Sequence, residues 1–156
     1  MEQSTSLNKY FPARNVLTLG EEDTFANGEA NFWLAEVGKT TGQGFTLKLN
    51  DYARMISGCL IKNKGRGGNF DGFATKEFRV SGSKNETGPW EILVEDELID
   101  TTGGKPVSLL NFTFKEPVEI QFIKFELVSY WGEGGGGLQF FGAILAPCKR
   151  SMYQTK

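Results

Sequence analysis

The side chains that could perform covalent chemistry are limited, because the sequence contains no histidine. Without imidazole there is no Ser-His-Asp or Cys-His nucleophilic pair, no zinc site with a histidine ligand and no unperturbed histidine pH switch. Carboxylates remain, and glycoside hydrolysis needs two of them about 5–10 Å apart in a cleft. The chain has 19 acidic residues, but no motif singles out a pair. We therefore interpret it as not being an enzyme.

Two glycine-containing stretches resemble nucleotide-binding motifs but lack the neighbouring residues and elements that those motifs need. Gly38-Lys39-Thr40 is like the end of a phosphate-binding loop, but Trp33 occupies the position five residues earlier where a glycine is needed. Gly42 and Gly44 would also break the helix that should follow. The glycine run at 132–137 precedes a strand pattern, which indicates a flexible connector or a loop at the rim of the fold rather than a dinucleotide site.

Charge and hydropathy exclude further classes of protein. The 17 basic and 19 acidic residues give a net charge of −2, which does not favour nucleic acid as a partner. No stretch of about 18 apolar residues could span a membrane. The first residues lack the apolar run of a signal peptide, so we expect a cytoplasmic or unconventionally exported protein, or an extracellular one whose leader was removed.

The two cysteines, Cys59 and Cys148, are too few for a disulfide scaffold. We expect two free thiols, with Cys59 buried in an apolar run, and a bridge between the two cysteines stays open. The acidic stretch Glu21-Glu22-Asp23 has the oxygen ligands that calcium prefers, although a solvated acidic turn is the simpler interpretation.

Period-two alternation of apolar residues predicts many short strands and no long helix. The predicted strands span 15–19, 45–49, 56–63, 75–82, 90–95, 107–114, 118–129 and 138–146. The range 118–129 is the longest and is apolar on both faces, which indicates a central strand. These strands predict an all-β protein, an antiparallel β-sandwich of the jelly-roll type with about eight strands.

Turn-forming residues predict where the domain and its loops begin and end. The polar start of the chain predicts a flexible segment at 1–14, and the domain is predicted at 15–148 with a tail at 149–156. The stretch from Lys64 to Gly72 contains four glycines and two basic residues and is predicted to be an exposed loop.

Several segments together carry a family resemblance. The most specific one is 75–83 followed by Gly88-Pro89-Trp90-Glu91; the others are 31–34, 42–49, 56–63, 122–127 and 138–141. In order and spacing these segments resemble the discoidin family, also called the coagulation factor 5/8 type C domain, within the galactose-binding-like jelly rolls. The resemblance covers about residues 15 to 147 and implies a non-catalytic binding module.

The resemblance also implies where a ligand binds, namely on loops at one end of the sandwich, which by position are 26–33, 63–73 and 130–137. Aromatic rings there could stack on a sugar ring, and polar side chains could bond to its hydroxyls. The implied ligand-binding residues are Asn31, Trp33, Asn63, Arg66, Asn69, Phe70, Tyr130, Trp131 and Glu133. The predicted partner is a carbohydrate or a glycoprotein.

Two alternative functions stay open. One is an intracellular protein–protein interaction module, which the missing leader favours. The other is binding to anionic lipid, with Phe70 and Phe73 beside Lys64 and Arg66 as a spike that dips into a membrane, although the acidic net charge opposes it.

The resemblance raises the question of a structural calcium ion. Sugar-binding members of the family use an Asp-Gly turn and an acid in the last strand, whereas here Asn27-Gly28 and Gly142-Ala143 stand in those regions. The cysteine that extracellular members carry at the start of the domain is also missing, since none lies in the first 58 residues. We therefore expect no cofactor, with calcium as the alternative that stays open although these departures make it doubtful, and no stapling disulfide.

Overall fold

The computed structural model describes residues 2–3, 11–20, 23, 25–26, 29–65 and 72–147. Within these ranges it contains one 3-10 helix, Ala13–Leu17, and short to medium β-strands. The strands are β1 (Glu2–Gln3), β2 (Phe25–Ala26), β3 (Glu29–Ala30), β4 (Trp33–Leu34), β5 (Gly44–Lys48), β6 (Arg54–Asn63), β7 (Ala74–Thr75), β8 (Glu77–Ser83), β9 (Glu91–Glu97), β10 (Leu109–Ile120), β11 (Phe122–Leu127), β12 (Tyr130–Trp131) and β13 (Gly137–Leu145).

Two antiparallel sheets form the two layers of the sandwich. The five-stranded sheet has the order β1-β5-β11-β8-β9, and the four-stranded sheet has the order β10-β6-β13-β4. Two further pairs, β12-β7 and β2-β3, are also antiparallel. The predicted jelly-roll β-sandwich is confirmed. No helix among the described residues has the length and apolar character needed to cross a membrane.

The core lies between the sheets and is built on the alternation that the sequence shows. In β11 the side chains of Ile123, Phe125 and Leu127 are buried, whereas those between them are half-buried on the other face. The ring of Phe125 stacks on Phe45 in its own sheet, with centroids 5.3 Å apart, and meets Phe141 of the facing sheet edge-on at 5.8 Å. Aromatic contacts of this kind join the two layers.

The predicted strand at 118–129 is wrong as a single element, because the chain changes sheets within it. Strand β10 ends at Ile120 in one sheet and β11 begins at Phe122 in the other. Gln121 makes the corner: its N–H donates to Ser83 O, and its side-chain amide donates to Asn50 O at 2.8 Å. Ile120 and Ile123 both face the core, and this three-residue spacing is incompatible with one continuous strand. The second part, β11, does lie in the centre of its sheet, as the apolar faces indicated.

The start of the domain also differs from the prediction. The sequence predicts a strand at 15–19, but the structure has a 3-10 helix at Ala13–Leu17. The side chains of Ala13 and Val16 in this helix are buried. Phe11 is 1% exposed, and β1 pairs with β5. The described part of the segment at 1–14 is therefore packed against the sandwich, and the structured region begins before residue 15.

The thiol of Cys59 is free and buried in β6, as expected. Burial raises the pKa of the Cys59 thiol to about 12, so the thiol stays protonated at neutral pH. Cys148 lies outside the described residues.

Replacing Phe125 with alanine removes the ring that joins the layers. We expect Phe125→Ala to lower the free energy of unfolding by about 3–5 kcal/mol, because a large buried aromatic side chain leaves a cavity. Urea unfolding followed by tryptophan fluorescence measures this loss. Phe122→Ala on the same strand is the matched control, because that ring lies on the outer face. Equal losses in the two variants would contradict the central position of Phe125.

Candidate functional site

One end of the sandwich gathers the segments that the resemblance assigned to ligand binding. Strand β6 ends there at Asn63, β12 pairs with β7, and β13 begins there at Gly137. We call this end the rim and define it as residues 72–76, 98–101 and 130–137. It is held by a layer of buried polar side chains just beneath it.

Asn63 is a structural clamp in this layer, not a ligand-facing side chain. It is 2% exposed, its amide donates to Thr75 O at 2.8 Å, and its Oδ1 accepts the N–H groups of Thr75 and Lys64. The Thr75 hydroxyl in turn donates to Gly137 O at 2.8 Å. These bonds tie β6, β7 and β13 together, so the prediction that Asn63 binds a sugar hydroxyl is wrong: its polar atoms are used inside the fold.

Gln139 performs the same task for the neighbouring loops. Its fully buried amide donates to Thr18 O and to Asn31 O, and its carbonyl oxygen accepts the N–H of Gly20. Asn31, one of the predicted ligand-binding residues, is half-buried, and this hydrogen bond to its backbone carbonyl holds it in place. The polar residue in an otherwise apolar strand pattern was the sequence signal for this anchor.

A buried ion pair lies beside the rim, in contrast to the predicted exposed loop beginning at Lys64. The side chains of Lys64 and Asp23 are 0% and 3% exposed, and Lys64 Nζ lies 3.5 Å from Asp23 Oδ2. Lys64 Nζ also donates to Gly65 O and lies 4.7 Å from the centroid of the Phe32 ring. Burial raises the pKa of the Asp23 carboxyl, while Lys64 and the Gly65 N–H oppose that rise. Asp23 is thus not in a solvated turn, and Glu21 and Glu22 lie outside the described residues.

The glycine run is packed rather than a flexible connector. On one side Gly134 N–H donates to Gly72 O at 2.8 Å, and on the other Ala35 N–H donates to Gly136 O at 3.0 Å. A side chain at Gly136 would collide with Leu127. The run therefore allows three backbone segments to approach closely, which explains why residues without a Cβ stand there.

Trp131 presents a half-buried indole on the rim in a fixed orientation. Its Nε1 donates to Leu98 O at 2.9 Å, and Lys76 Nζ lies 4.6 Å from the ring centroid. The hydrogen bond fixes the ring plane, and the ammonium contributes a cation–π contact. Tyr130 beside it is half-buried and Glu133 is exposed. The structure thus brings Tyr130, Trp131 and Glu133 together on the rim.

Trp33 lies elsewhere, so its prediction as a ligand-stacking residue is wrong. The indole is 0% exposed and contacts Phe45 and Phe125 edge-on, with centroids 5.5 and 6.1 Å away. A ring buried in the core cannot reach a ligand. The other predicted ligand-binding residues, Arg66, Asn69 and Phe70, lie outside the described residues, as do Asn27 and Gly28.

Two of the four residues predicted to form a membrane-dipping spike, Phe73 and Lys64, are buried. Phe73 is 8% exposed and belongs to a second apolar cluster with Phe11, Phe32 and Leu34. Lys64 is buried in its ion pair and offers no charge to a lipid headgroup. Apolar tips and free basic charges are what anionic membranes attract, so neither residue suits that role.

Two rim residues were not anticipated from the sequence. Lys76 reaches Trp131 because β7 and β12 pair, with Trp131 opposite Ala74. Ile99 is 72% exposed and directly follows Leu98, whose carbonyl holds the indole. Lys76 lies within the segment 75–83 that carries the family resemblance, but its contact with Trp131 depends on tertiary structure, and Ile99 belongs to none of the resembling segments.

Comparisons with known proteins identify the fold. No family model matches the chain, and no curated protein matches it. Among solved structures, the family 32 CBM of NanJ from Clostridium perfringens, in complex with galactose, has a TM-score of 0.65 and 17% identity, covering 89% of this chain and 88% of that one. A GH31 CBM32-2 bound to GalNAc has a TM-score of 0.58 and 12% identity, covering 94% and 95%.

An enzyme also has a similar structure. Allantoicase has a TM-score of 0.64 and 12% identity, and the match covers 94% of this chain but 39% of that one. The chain therefore shares the jelly-roll β-sandwich fold of these structures, which is the fold that the resemblance implied.

Removing the ammonium of the buried ion pair tests its structural role. We expect Lys64→Met to lower the free energy of unfolding by about 3–5 kcal/mol, because the Asp23 carboxylate stays buried without its partner. The double variant Asp23→Asn/Lys64→Met should recover part of that loss. Urea unfolding measures Lys64→Met, Asp23→Asn and the double variant, and additive losses would show that the two side chains do not interact.

A methyl group at Gly132 tests the close packing of the glycine run. Gly132 has φ +83°, and an added Cβ would lie 2.8 Å from Gly72 O. Gly42 is the matched control, with φ +71° and nothing within 4 Å of an added Cβ. Gly42→Ala should cost about 1–2 kcal/mol from the backbone alone, and Gly132→Ala about 1–3 kcal/mol more. Equal losses in thermal or urea unfolding would indicate a loosely packed run.

Proposed function

We propose that this domain is a non-catalytic carbohydrate-binding module whose ligand lies on the rim against Trp131. The single observation that supports this most is the half-buried indole of Trp131, fixed by its bond to Leu98 O and placed beside the ammonium group of Lys76. The likeness in fold to domains solved with galactose and with GalNAc makes a sugar the leading ligand class. That likeness is an analogy of fold, and the site supplies the argument for function.

Sugar recognition uses two kinds of contact that the rim offers. The exposed part of the Trp131 indole gives an apolar surface for the C–H groups of a pyranose ring. Lys76 donates hydrogen bonds and Glu133 accepts them, which suits the alternating hydroxyls of a sugar. The indole does not have to be ordered on binding, because the Nε1 bond already fixes it, and this lowers the entropic cost of association.

Interaction with another protein is the second candidate, and Ile99 favours it. This large apolar side chain is 72% exposed at the rim. Two experiments together distinguish the candidates. One is a glycan array, and the other is a pull-down from cell extract with Trp131→Ala as the control bait. Binding to array glycans supports the first candidate. A partner that is captured by the original chain and lost with Trp131→Ala, while the array stays blank, supports the second.

Substitution of Trp131 tests the site directly. We expect Trp131→Ala to weaken glycan binding by about 30-fold or more, because truncating a central aromatic contact typically costs at least about 2 kcal/mol. From the family resemblance we also expect Arg66→Ala to abolish binding. Tyr52→Ala is the control, since it removes a ring that is 61% exposed just before β6, at the other end of the sandwich.

Titration calorimetry measures the affinity, and circular dichroism checks that each variant is folded. Unchanged affinity in both Trp131→Ala and Arg66→Ala would remove the proposed site. An equal loss in Tyr52→Ala would show that the effect is not specific to the rim.

We also propose that the fold does not need calcium. Gly142 and Ala143, in the region where the family's calcium-binding acid would stand, lie within β13 and supply no side-chain oxygen. Among the described residues, no cluster of three or more acidic, cysteine or histidine side chains could hold a metal ion. The buried ammonium of Lys64 places a positive charge beside the rim without a metal.

A chelator tests this proposal. We expect the melting temperature to stay the same in EDTA and in added calcium chloride, because a site that does not bind the ion gains no stability from it. Differential scanning calorimetry on the metal-stripped protein gives the values. A melting temperature that falls in EDTA and returns with calcium would contradict the proposal.

A further inference from the structure

A second half-buried tryptophan lies at the opposite end of the sandwich from the rim. Trp90 directly precedes β9, beside the end of β8 at Ser83. The register shows the separation: Ser83 pairs with Phe122 at the far end of β11, whereas Phe78 pairs with Leu127 at the end next to the rim. A strand of this length separates the two ends by about 20 Å.

Trp90 lines a cleft of about 310 Å³. The volume lies at the small end of the range of about 300–1,000 Å³ that small-molecule sites occupy. Besides Trp90, the lining includes Lys84, Asn85, Glu91 and Glu119. The cleft therefore combines one aromatic ring with several hydrogen-bonding side chains, the same combination that the rim offers.

The charged side chains of the cleft include one exposed ion pair. Lys84 Nζ lies 3.1 Å from Glu119 Oε1, and both side chains are more than half exposed, so they remain open to a ligand. Lys124 Nζ lies 4.3 Å from the centroid of the Trp90 ring, as Lys76 does over Trp131 at 4.6 Å. Lys124 Nζ also lies 3.9 Å from Glu126 Oε1, so the charged side chains in and beside the cleft carry no excess positive charge, which favours a neutral ligand over an anionic one.

The turn that carries these groups is ordered by its own hydrogen bonds. Asn85 N–H donates to Ser83 Oγ at 3.0 Å, and Gly88 N–H donates to Asn85 O at 3.1 Å. A cleft whose walls are already in place binds a small ligand without paying for their ordering.

We propose that the Trp90 cleft is a second saccharide-binding subsite, which takes one neutral sugar unit. The inference rests on the proposed function, since the rim is the first site. Two sites about 20 Å apart at opposite ends cannot share one sugar unit. They would engage separate branches or chains and raise the avidity for a glycan surface.

The three tryptophans allow a direct test on the full chain. In ¹⁵N-labelled protein each indole N–H gives its own signal, assigned with Trp90→Phe and Trp131→Phe. Galactose and N-acetylgalactosamine are the probes, and mannitol, which has hydroxyls but no ring face, is the control solute. Trp33, which is 0% exposed, supplies the internal reference.

We expect the Trp90 signal to shift saturably with a dissociation constant of its own and to keep that shift in Trp131→Ala. Glu119→Gln should weaken binding at Trp90 by about tenfold and leave Trp131 unaffected, because it alters a hydrogen-bonding group in the cleft alone. Saturable shifts at Trp131 with none at Trp90 overturn the second subsite and leave the proposed function standing. Shifts at Trp90 that mannitol reproduces also overturn it, and no shift at either indole overturns both.

Discussion

The contact of Phe125 with the rings around it is the interaction on which the rest of the molecule depends. Its centroid lies 5.3–6.1 Å from those of four other aromatic rings, which are Trp33, Phe45, Phe78 and Phe141. Two of these rings belong to its own sheet and two to the facing sheet, so the cluster sets how the layers are spaced and aligned. Two strands near the rim also contribute to this cluster, since β4 begins with Trp33 and β11, which contains Phe125, ends at Leu127.

Above the aromatic core, a polar layer holds the rim in place. Backbone groups of the loops find their partners in Asn63 and Gln139, and the pair of Lys64 and Asp23 is buried with them. Among the described residues, every buried side-chain nitrogen and oxygen has a hydrogen-bond partner. A satisfied network of this kind is rigid, and a partly satisfied one would be costly. The described rim residues therefore form an ordered platform that carries Trp131, and these residues do not have to be ordered when a ligand binds.

The sequence predicted the layers well and the rim less well, for physical reasons. Period-two alternation predicts β5 and β11, because one face of each strand is buried. It cannot reveal the corner at Gln121, where polar bonds redirect the chain while apolar residues continue on both sides. Residue type also fails to separate Trp33 in the core from Trp131 on the rim, or to show that Lys64 is buried, since each outcome depends on partners distant in sequence.

A crystal structure of the domain with galactose tests the central claim most directly. We expect a sugar ring packed on the Trp131 indole, with its carbons about 3.5–4.0 Å from the ring, and hydroxyls within hydrogen-bond distance of Lys76 or Glu133, about 2.7–3.2 Å. The indole should keep its bond to Leu98 O, because that bond positions it before binding. A domain saturated with galactose whose Trp131 indole touches no sugar would contradict the account.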